Sequence, residues 1–497
     1  MINRIMWSLL LTALVLCHCS EAVRLFHLGR PRGGMLGGPG GDPITTDIKE
    51  HWYKQRLDHF NPSDTRIWHQ RFFVNKSYYK AGGPVFVMIG GEGEAKPDWM
   101  FQGAWIDYAK RHSALCVLLE HRYYGKSHPT PDLSVKNLAY LSSEQALADL
   151  AKFIDHMRRR FELRPTARCI VFGGSYPGSL AAWLRAKYPH LVHAAVSTSG
   201  PLIAKPDFKE YYGVVQDDLQ NQDPMCVQAV GNATQQINLL LNHRLGQQTV
   251  TKLFRLCQPV DSNNSQDVAS LFETLASNFA GVVQYNKDNR QFEGAKGTNI
   301  TIDVVCNVMT NSNIGPPVNR LAAVNSLLLD AYDQKCLDYK YDKMVADLRN
   351  VSWDSETAEG GRQWMYQTCT EFGFFQTSSL PPHLFGDNFP VDFFYQQCID
   401  VFGKRFNSTF VQQATKNTNI LYGGFNLQMN RILFVQGSVD PWHALGITQT
   451  LREDSPAIYI NGTAHCANMY PAAPSDPPQL VNARQQVESY ITKWLGR

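Results

Sequence analysis

Cys169-Ile170-Val171-Phe172-Gly173-Gly174-Ser175-Tyr176-Pro177-Gly178-Ser179-Leu180 reads as a strand, a single serine on a sharp turn, and the start of a helix. Ile170, Val171 and Phe172 form an apolar run of the kind found in a sheet buried on both faces. Leu180, Ala181, Ala182, Trp183 and Leu184 continue as a helix, with Pro177 where a first helical turn tolerates proline. Small residues around Ser175 let the chain pass close to itself, so the hydroxyl stands clear of its backbone and can meet a base and a carbonyl together. Such a turn is a nucleophile elbow. The plainer alternative is a glycine-rich βα turn with an incidental serine.

Two later stretches favour the elbow. Ile432-Leu433-Phe434-Val435-Gln436-Gly437-Ser438-Val439-Asp440-Pro441 is an apolar strand ending in Gly and Asp. Ala457-Ile458-Tyr459-Ile460-Asn461-Gly462-Thr463-Ala464-His465 is a second strand whose loop delivers a histidine. Nucleophile, acid and base in the order Ser, Asp, His, each at a strand end, match an α/β-hydrolase. Ser175 would attack, His465 would take its proton, and Asp440 would fix the imidazole tautomer and stabilise the imidazolium. The plainer readings are a turn aspartate before a proline and a surface-loop histidine. His443 is a rival base, but it lies only three residues past the acid and is expected to pack beside the site.

Composition fits a secreted enzyme. The 497-residue chain opens with Arg4, an apolar run from Ile5 to Cys17, and small residues near Ser20 and Ala22. That run is too short to span a bilayer and reads as a signal peptide over 1–22. No later stretch approaches the roughly 20 apolar residues of a transmembrane helix. About 475 residues then remain, more than one core usually serves. The formal net charge is +3 and the basic trio Arg158-Arg159-Arg160 ends a predicted helix, where cations suit the dipole. Nucleic-acid binding therefore has little support.

Eleven cysteines fall to nine without the signal peptide. Cys226, Cys257, Cys306, Cys336, Cys369 and Cys398 lie mid-chain with no zinc-finger spacing, so disulfides are expected, in one of fifteen pairings. Cys116 and Cys169 sit in predicted buried strands, and an odd total leaves at least one free thiol in a monomer. Sequons at Asn75, Asn232, Asn263, Asn299, Asn350, Asn407 and Asn461 fit the secretory pathway.

The pattern divides the chain. Residues 23–47, rich in Gly and Pro between Gly29 and Gly41, are expected to be a flexible leader. Over 48–205 strands alternate with helices, including Arg71–Val74, Pro84–Ile89, Ala114–Leu119 and Ala194–Ser197. Leu147, Leu150, Ile154, Met157 and Phe161 mark one helical face begun by a capping box of Ser142 and Gln145. Over 206–422 strong strands give way to helical periodicity, as in Val318 to Asp333, and strands return over 423–497. The expected architecture is an α/β-hydrolase sheet with an inserted helical cap roofing the C-terminal strand ends.

Several stretches together resemble a serine-peptidase family, that of prolyl carboxypeptidase, dipeptidyl peptidase II and thymus-specific serine protease. They are Leu57-Asp58-His59-Phe60, Gly90-Gly91-Glu92-Gly93, Glu120-His121-Arg122-Tyr123-Tyr124-Gly125, Gly173-Gly174-Ser175-Tyr176, Tyr366-Gln367-Thr368-Cys369-Thr370-Glu371 and Gly437-Ser438-Val439-Asp440-Pro441-Trp442. The detail is most similar to the thymus-specific member. The resemblance implies a helical cap, a triad of Ser175, Asp440 and His465, exopeptidase action often after proline, and a secreted, lysosomal or vesicular location. Peptides are the expected partners, homodimerisation is left open, and no cofactor or metal is expected. The chain departs from the family at Pro177, where Gly or Ala is usual, and at Cys466, where the carboxypeptidase member has a second histidine. The larger ring of Pro177 is expected to affect rate more than mechanism. An acid-shifted optimum tied to the second histidine is not carried over.

The oxyanion donors should be the N–H of Tyr176 and one from the loop after Val85–Ile89, where Gly91 is the choice. Glu92 or Glu94 could hold a substrate's amino terminus, although a solvated loop carboxylate is the plainer reading. Trp364, Met365, Tyr366 and Gln367 resemble the family's apolar wall, on which a proline ring would stack, while aromatics in a helical domain are more often core. A lipase or carboxylesterase on the same scaffold would cleave esters without peptides, and this chain lacks a His-Gly-Gly-Gly-type loop. A non-catalytic binding protein would not label with a fluorophosphonate.

Overall fold

The computed structural model describes residues 26–40, 49–287, 299–382 and 384–496; the signal peptide expected over 1–22 lies outside them. Among the described residues eight strands build the central sheet: β1 His51–Arg56, β2 Ile67–Asn75, β3 Val85–Ile89, β4 Leu115–Leu119, β5 Cys169–Gly174, β6 Ala194–Thr198, β7 Ile432–Gly437 and β8 Ala457–Ile460. Their order is β8-β7-β6-β5-β3-β4-β2-β1. β2 pairs antiparallel with β1 and β4, and the other neighbours are parallel. This is an α/β-hydrolase fold.

The helices around the site are α1 Ala104–His112, α2 Ser143–Arg160, α3 Tyr176–Lys187, α4 Glu210–Gln222, α5 Ser265–Gln284, α6 Gly361–Gln367 and α7 Pro478–Trp494. Strand pleating divides the apolar runs between two cores. Val85, Val87 and Ile89 face one core with Leu147, Leu150 and Ile154 of α2 and Leu180 and Trp183 of α3. Phe86 and Met88 face the other with Trp105 and Ile106 of α1 and Leu480, Val487 and Ile491 of α7. Helices on both faces are why β3, β4 and the first four residues of β5 read as continuous apolar runs, each Val, Leu, Ile, Phe or Met side chain contributing roughly 1.5–3 kcal/mol on burial. The capping box is half formed. Ser142 Oγ accepts from the Gln145 N–H, but the Gln145 amide turns to Asp58 Oδ1 and the His59 N–H instead of back to Ser142.

Between β6 and β7 the chain is mainly helical, apart from a short parallel pair, Lys205–Asp207 with Gly373–Phe375. Disulfides join Cys226 to Cys306, Cys257 to Cys336 and Cys369 to Cys398, all within this block. Cys116, Cys169 and Cys466 are free and buried. Of the sequon asparagines, Asn75 is buried with its Nδ2 donating to Met100 O, while the others are exposed.

The leader differs from expectation. Its described part, residues 26–40, forms a small antiparallel pair, Phe26–His27 with Arg30–Pro31, and buries Leu28, Arg30 and Met35. Gly and Pro argued for disorder locally, but a cleft supplied by distant elements takes up these side chains.

Candidate active site

Ser175 stands between β5 and α3 with φ +66° and ψ −135°, a conformation costly for any residue with a Cβ. The strain is held by hydrogen bonds on both sides, Ser175 N–H to Thr198 O at 2.9 Å and Gly178 N–H to Ser175 O at 2.8 Å. A Cβ on Gly173 would stand 2.0 Å from Pro177 O, which is why the turn needs glycine there. Tyr176 is the first residue of α3, so its N–H is among those a helix start leaves without an intrahelical partner.

Asp440 follows β7 and His465 follows β8, and both are fully buried. The loops are tied by Ser438 N–H to Ile460 O and Val439 N–H to Thr463 O, each 3.0 Å. His465 Nδ1 lies 2.9 Å from Asp440 Oδ1, which also accepts the Trp442 N–H at 3.0 Å. With Nδ1–H donating to the carboxylate, Nε2 carries the lone pair. Burial alone would depress the imidazole pKa, but the Asp440 charge and hydrogen bond outweigh it and hold His465 well above its ordinary value. Cys466, in place of the second histidine, donates its N–H to Ser199 Oγ at 2.9 Å, and burial pushes its thiol up. His443 instead sets its ring against Tyr459, with centroids 5.5 Å apart.

Gly91 follows β3 and lies against the elbow: a Cβ there would be 2.3 Å from Pro177 Cγ. The larger ring of Pro177 is thus accommodated by a glycine on the facing loop. Glu92 is not a solvated carboxylate. It is buried, its Oε1 accepts the Met35 N–H at 2.9 Å, and burial raises its pKa. Glu94 is more exposed and pairs with Arg71 and Lys96.

The wall residues diverge, as successive residues of a helix must. Trp364 of α6 faces Tyr176, with centroids 6.1 Å apart, and donates from Nε1 to Leu28 O at 3.1 Å. Tyr366 turns to Phe402 and Phe406, at 5.3 and 6.0 Å, inside the helical block, and so belongs to its core. Met365 is buried. Gln367 Nε2 donates to the Tyr176 hydroxyl at 3.1 Å, which also meets His121 Nε2 and Ser143 Oγ. Burial pushes His121 down to about 4, so it is neutral.

Other quoted motifs are scaffold. Arg122 and His59 converge on buried Asp149, at 2.6–2.7 Å, and Arg71 pairs with buried Glu120. The residues that composition and spacing did not reveal are Gln284, Tyr285 and Met35. Gln284 O accepts the His465 N–H at 3.0 Å, and the Tyr285 ring meets His465 edge-on at 6.0 Å. The Ser175 hydroxyl donates to Met35 Sδ at 2.9 Å.

The sequence profile described as serine carboxypeptidase S28 matches residues 55–487. The chain is 34% identical to thymus-specific serine protease of Homo sapiens, over 99% of this chain and 95% of that one. Against the Mus musculus protein of that name it is 35% identical, over 99% and 96%. It is 29% identical to lysosomal Pro-X carboxypeptidase of Homo sapiens, over 89% and 88%.

Proposed function

The chain belongs to the serine carboxypeptidase S28 family, and on that premise we propose that this serine peptidase trims short peptides from one end in the secretory pathway, with a preference for proline before the cut. The observation that carries the reading is the strained serine of the elbow in one chain with the buried Asp440–His465 pair. In the proposed mechanism Ser175 Oγ adds to the scissile carbonyl carbon while His465 Nε2 accepts its proton. The N–H groups of Tyr176 and Gly91 stabilise the oxyanion. The proton then passes to the leaving amine, and water repeats the sequence on the acyl-enzyme.

The domain division proposed is a sheet domain from 48–205 and 423–497 with a cap over 206–422. A cap over the strand ends leaves room for a chain terminus and excludes folded proteins. Trp364 is the proposed platform for a proline ring, a rigid group that loses little entropy on stacking. Burial and its bond to Met35 support Glu92 as a peptide-binding carboxylate. Disulfides and the exposed sequons support an oxidising compartment, secreted or lysosomal.

The test is a peptide-library digest read by mass spectrometry, comparing wild type with Ser175→Ala. End-trimmed products after proline, absent with the variant, are expected. Internal cuts independent of distance from either terminus would remove the exopeptidase reading, and ester turnover without peptide cleavage would favour a lipase.

A further inference from the structure

Residues 26–40 belong to no strand of the central sheet, yet they lie on the nucleophile. Met35 Sδ accepts the Ser175 hydroxyl, and Leu28 and Met35 are each 1% exposed. A thioether offers no electrophilic carbon, so a serine held this way has nothing to attack.

The segment is held as an extended peptide ligand is held, largely through its backbone. Leu28 O accepts from Trp364 Nε1, Gly29 O from Gln284 Nε2 at 3.0 Å, and Met35 O from the Tyr285 hydroxyl at 2.9 Å. The Met35 N–H donates to Glu92 Oε1, on the loop that carries Gly91. One side chain is read specifically. The buried Arg30 guanidinium donates to both carboxylate oxygens of Glu359, at 2.9 and 2.8 Å, and to Glu92 O at 2.7 Å. Two parallel N–H···O bonds to a carboxylate select a planar guanidinium over other cations.

We propose that residues 26–40 are an internal occupant of the active-site cleft, and that Glu359 and Glu92 form a subsite for the arginine of an extended basic peptide. The inference rests on Ser175 being the nucleophile of the proposed function. A tethered peptide reaches an effective concentration on the order of 1 mM, so an intrinsic affinity of roughly 10 μM leaves about one site in a hundred open. The Glu359 carboxylate and the Glu92 carbonyl become available to a substrate arginine when the segment leaves.

The test uses the full chain with its leader retained, as verified by mass. Gly29 has φ +69°, and a Cβ there would stand 2.2 Å from Gln376 Nε2 and 2.4 Å from Trp442 Cζ2, so Gly29→Val cannot seat. Gly29→Val and Arg30→Ala should each label Ser175 with a small fluorophosphonate at least about tenfold faster than wild type. A synthetic peptide of residues 26–40 should slow labelling of Gly29→Val again. It should lose that effect when its arginine is replaced by citrulline, or when Glu359→Gln is added to the protein. Arg30→Ala carries the test if Gly29→Val does not fold. Unchanged or slower labelling in variants with a wild-type unfolding midpoint overturns the proposal, as does failure of the peptide at about 1 mM, the effective concentration of the tethered segment. Anisotropy of the fluorescent peptide on Gly29→Val reads the cleft without turnover. If no form labels but the peptide binds with the same dependence on Glu359, the nucleophile reading fails while the cleft assignment stands.

Discussion

The His465 N–H donates to the carbonyl oxygen of Gln284 at 3.0 Å, tying the loop that carries the imidazole to the last residue of α5. The Gln284 side chain extends the tie: its Oε1 accepts from Trp442 Nε1 at 2.9 Å and from the Tyr211 hydroxyl at 2.7 Å. The helical block and the His465 loop are therefore one hydrogen-bonded unit, in which Gln284 is expected to position the proposed base.

Gln284→Leu should leave two buried donors without an acceptor, costing on the order of 1–3 kcal/mol for each, and should lower kcat more than it raises KM. Gln284→Glu still accepts from both donors but loses the donor to Gly29 O, and should recover part of the kcat. Thermal unfolding with steady-state kinetics checks this. Equal loss in both variants would limit Gln284 to a packing role.

Asp440→Asn should keep the fold and lower kcat by a factor on the order of 10⁴, as loss of the correct tautomer does in another serine peptidase's triad. In the wild type the base is active only when neutral, and Asp440 holds the imidazole pKa well above ordinary. The acid limb of kcat/KM should therefore lie above about pH 6.5, the ordinary histidine value. A limb at or below about pH 6 would contradict the assignment.

Burial pushes Glu371 up to about 7 against the hydrogen bonds from Ser143 and Gln367, and burial with the charges of Asp217 and Asp440 pushes Asp218 up to about 8. A carboxyl raised in the folded state holds a proton that the unfolded chain releases, so stability is greatest below the unfolded pKa and falls as pH rises through the folded one. For Glu371 the window is about pH 4.5 to 7, worth up to about 3 kcal/mol less the screening from its remaining solvent contact. Unfolding midpoints should be higher at about pH 5 than at about pH 7.5, and Glu371→Gln should flatten that slope. An unaltered slope would place the titration elsewhere.

Gly91→Ala should drive its methyl into Pro177 and displace the N–H proposed as an oxyanion donor, lowering kcat by about 10²–10³. Pro177→Ala removes the Cγ and Cδ that would be struck and should restore much of the loss in the double variant. Additive effects in that cycle would show that the two residues do not communicate.

The fold was legible where its causes are local. Ile170, Val171 and Phe172 announce a strand covered on both faces, and glycine with serine announces the turn after it. The Asp440–His465 contact was legible through chain order and strand ends. Gln284 and Met35 carried no such signal, because their partners lie more than a hundred residues away and the backbone or a thioether does the bonding. Glu92 read as solvated for the same reason: what buries it comes from the leader. Tyr366 shares its motif with Trp364, but about 200° of helix separates their directions. The disulfide pairing needed the packing of the helical block to choose one of fifteen options.

The sheet is finished late. β6 ends at Thr198 and pairs with β7, which begins at Ile432, so the edge of β6 waits for more than two hundred residues of helical block. At about 5–20 residues per second, that interval lasts on the order of tens of seconds during synthesis. Ser175 has been synthesised by then, but Asp440 and His465 come only with the last part of the chain to emerge. With the proposed roles of Ser175 and His465, the nascent protein would carry a nucleophile with no base to activate it, and would acquire hydrolytic power only after the three crosslinks of the block have had time to close.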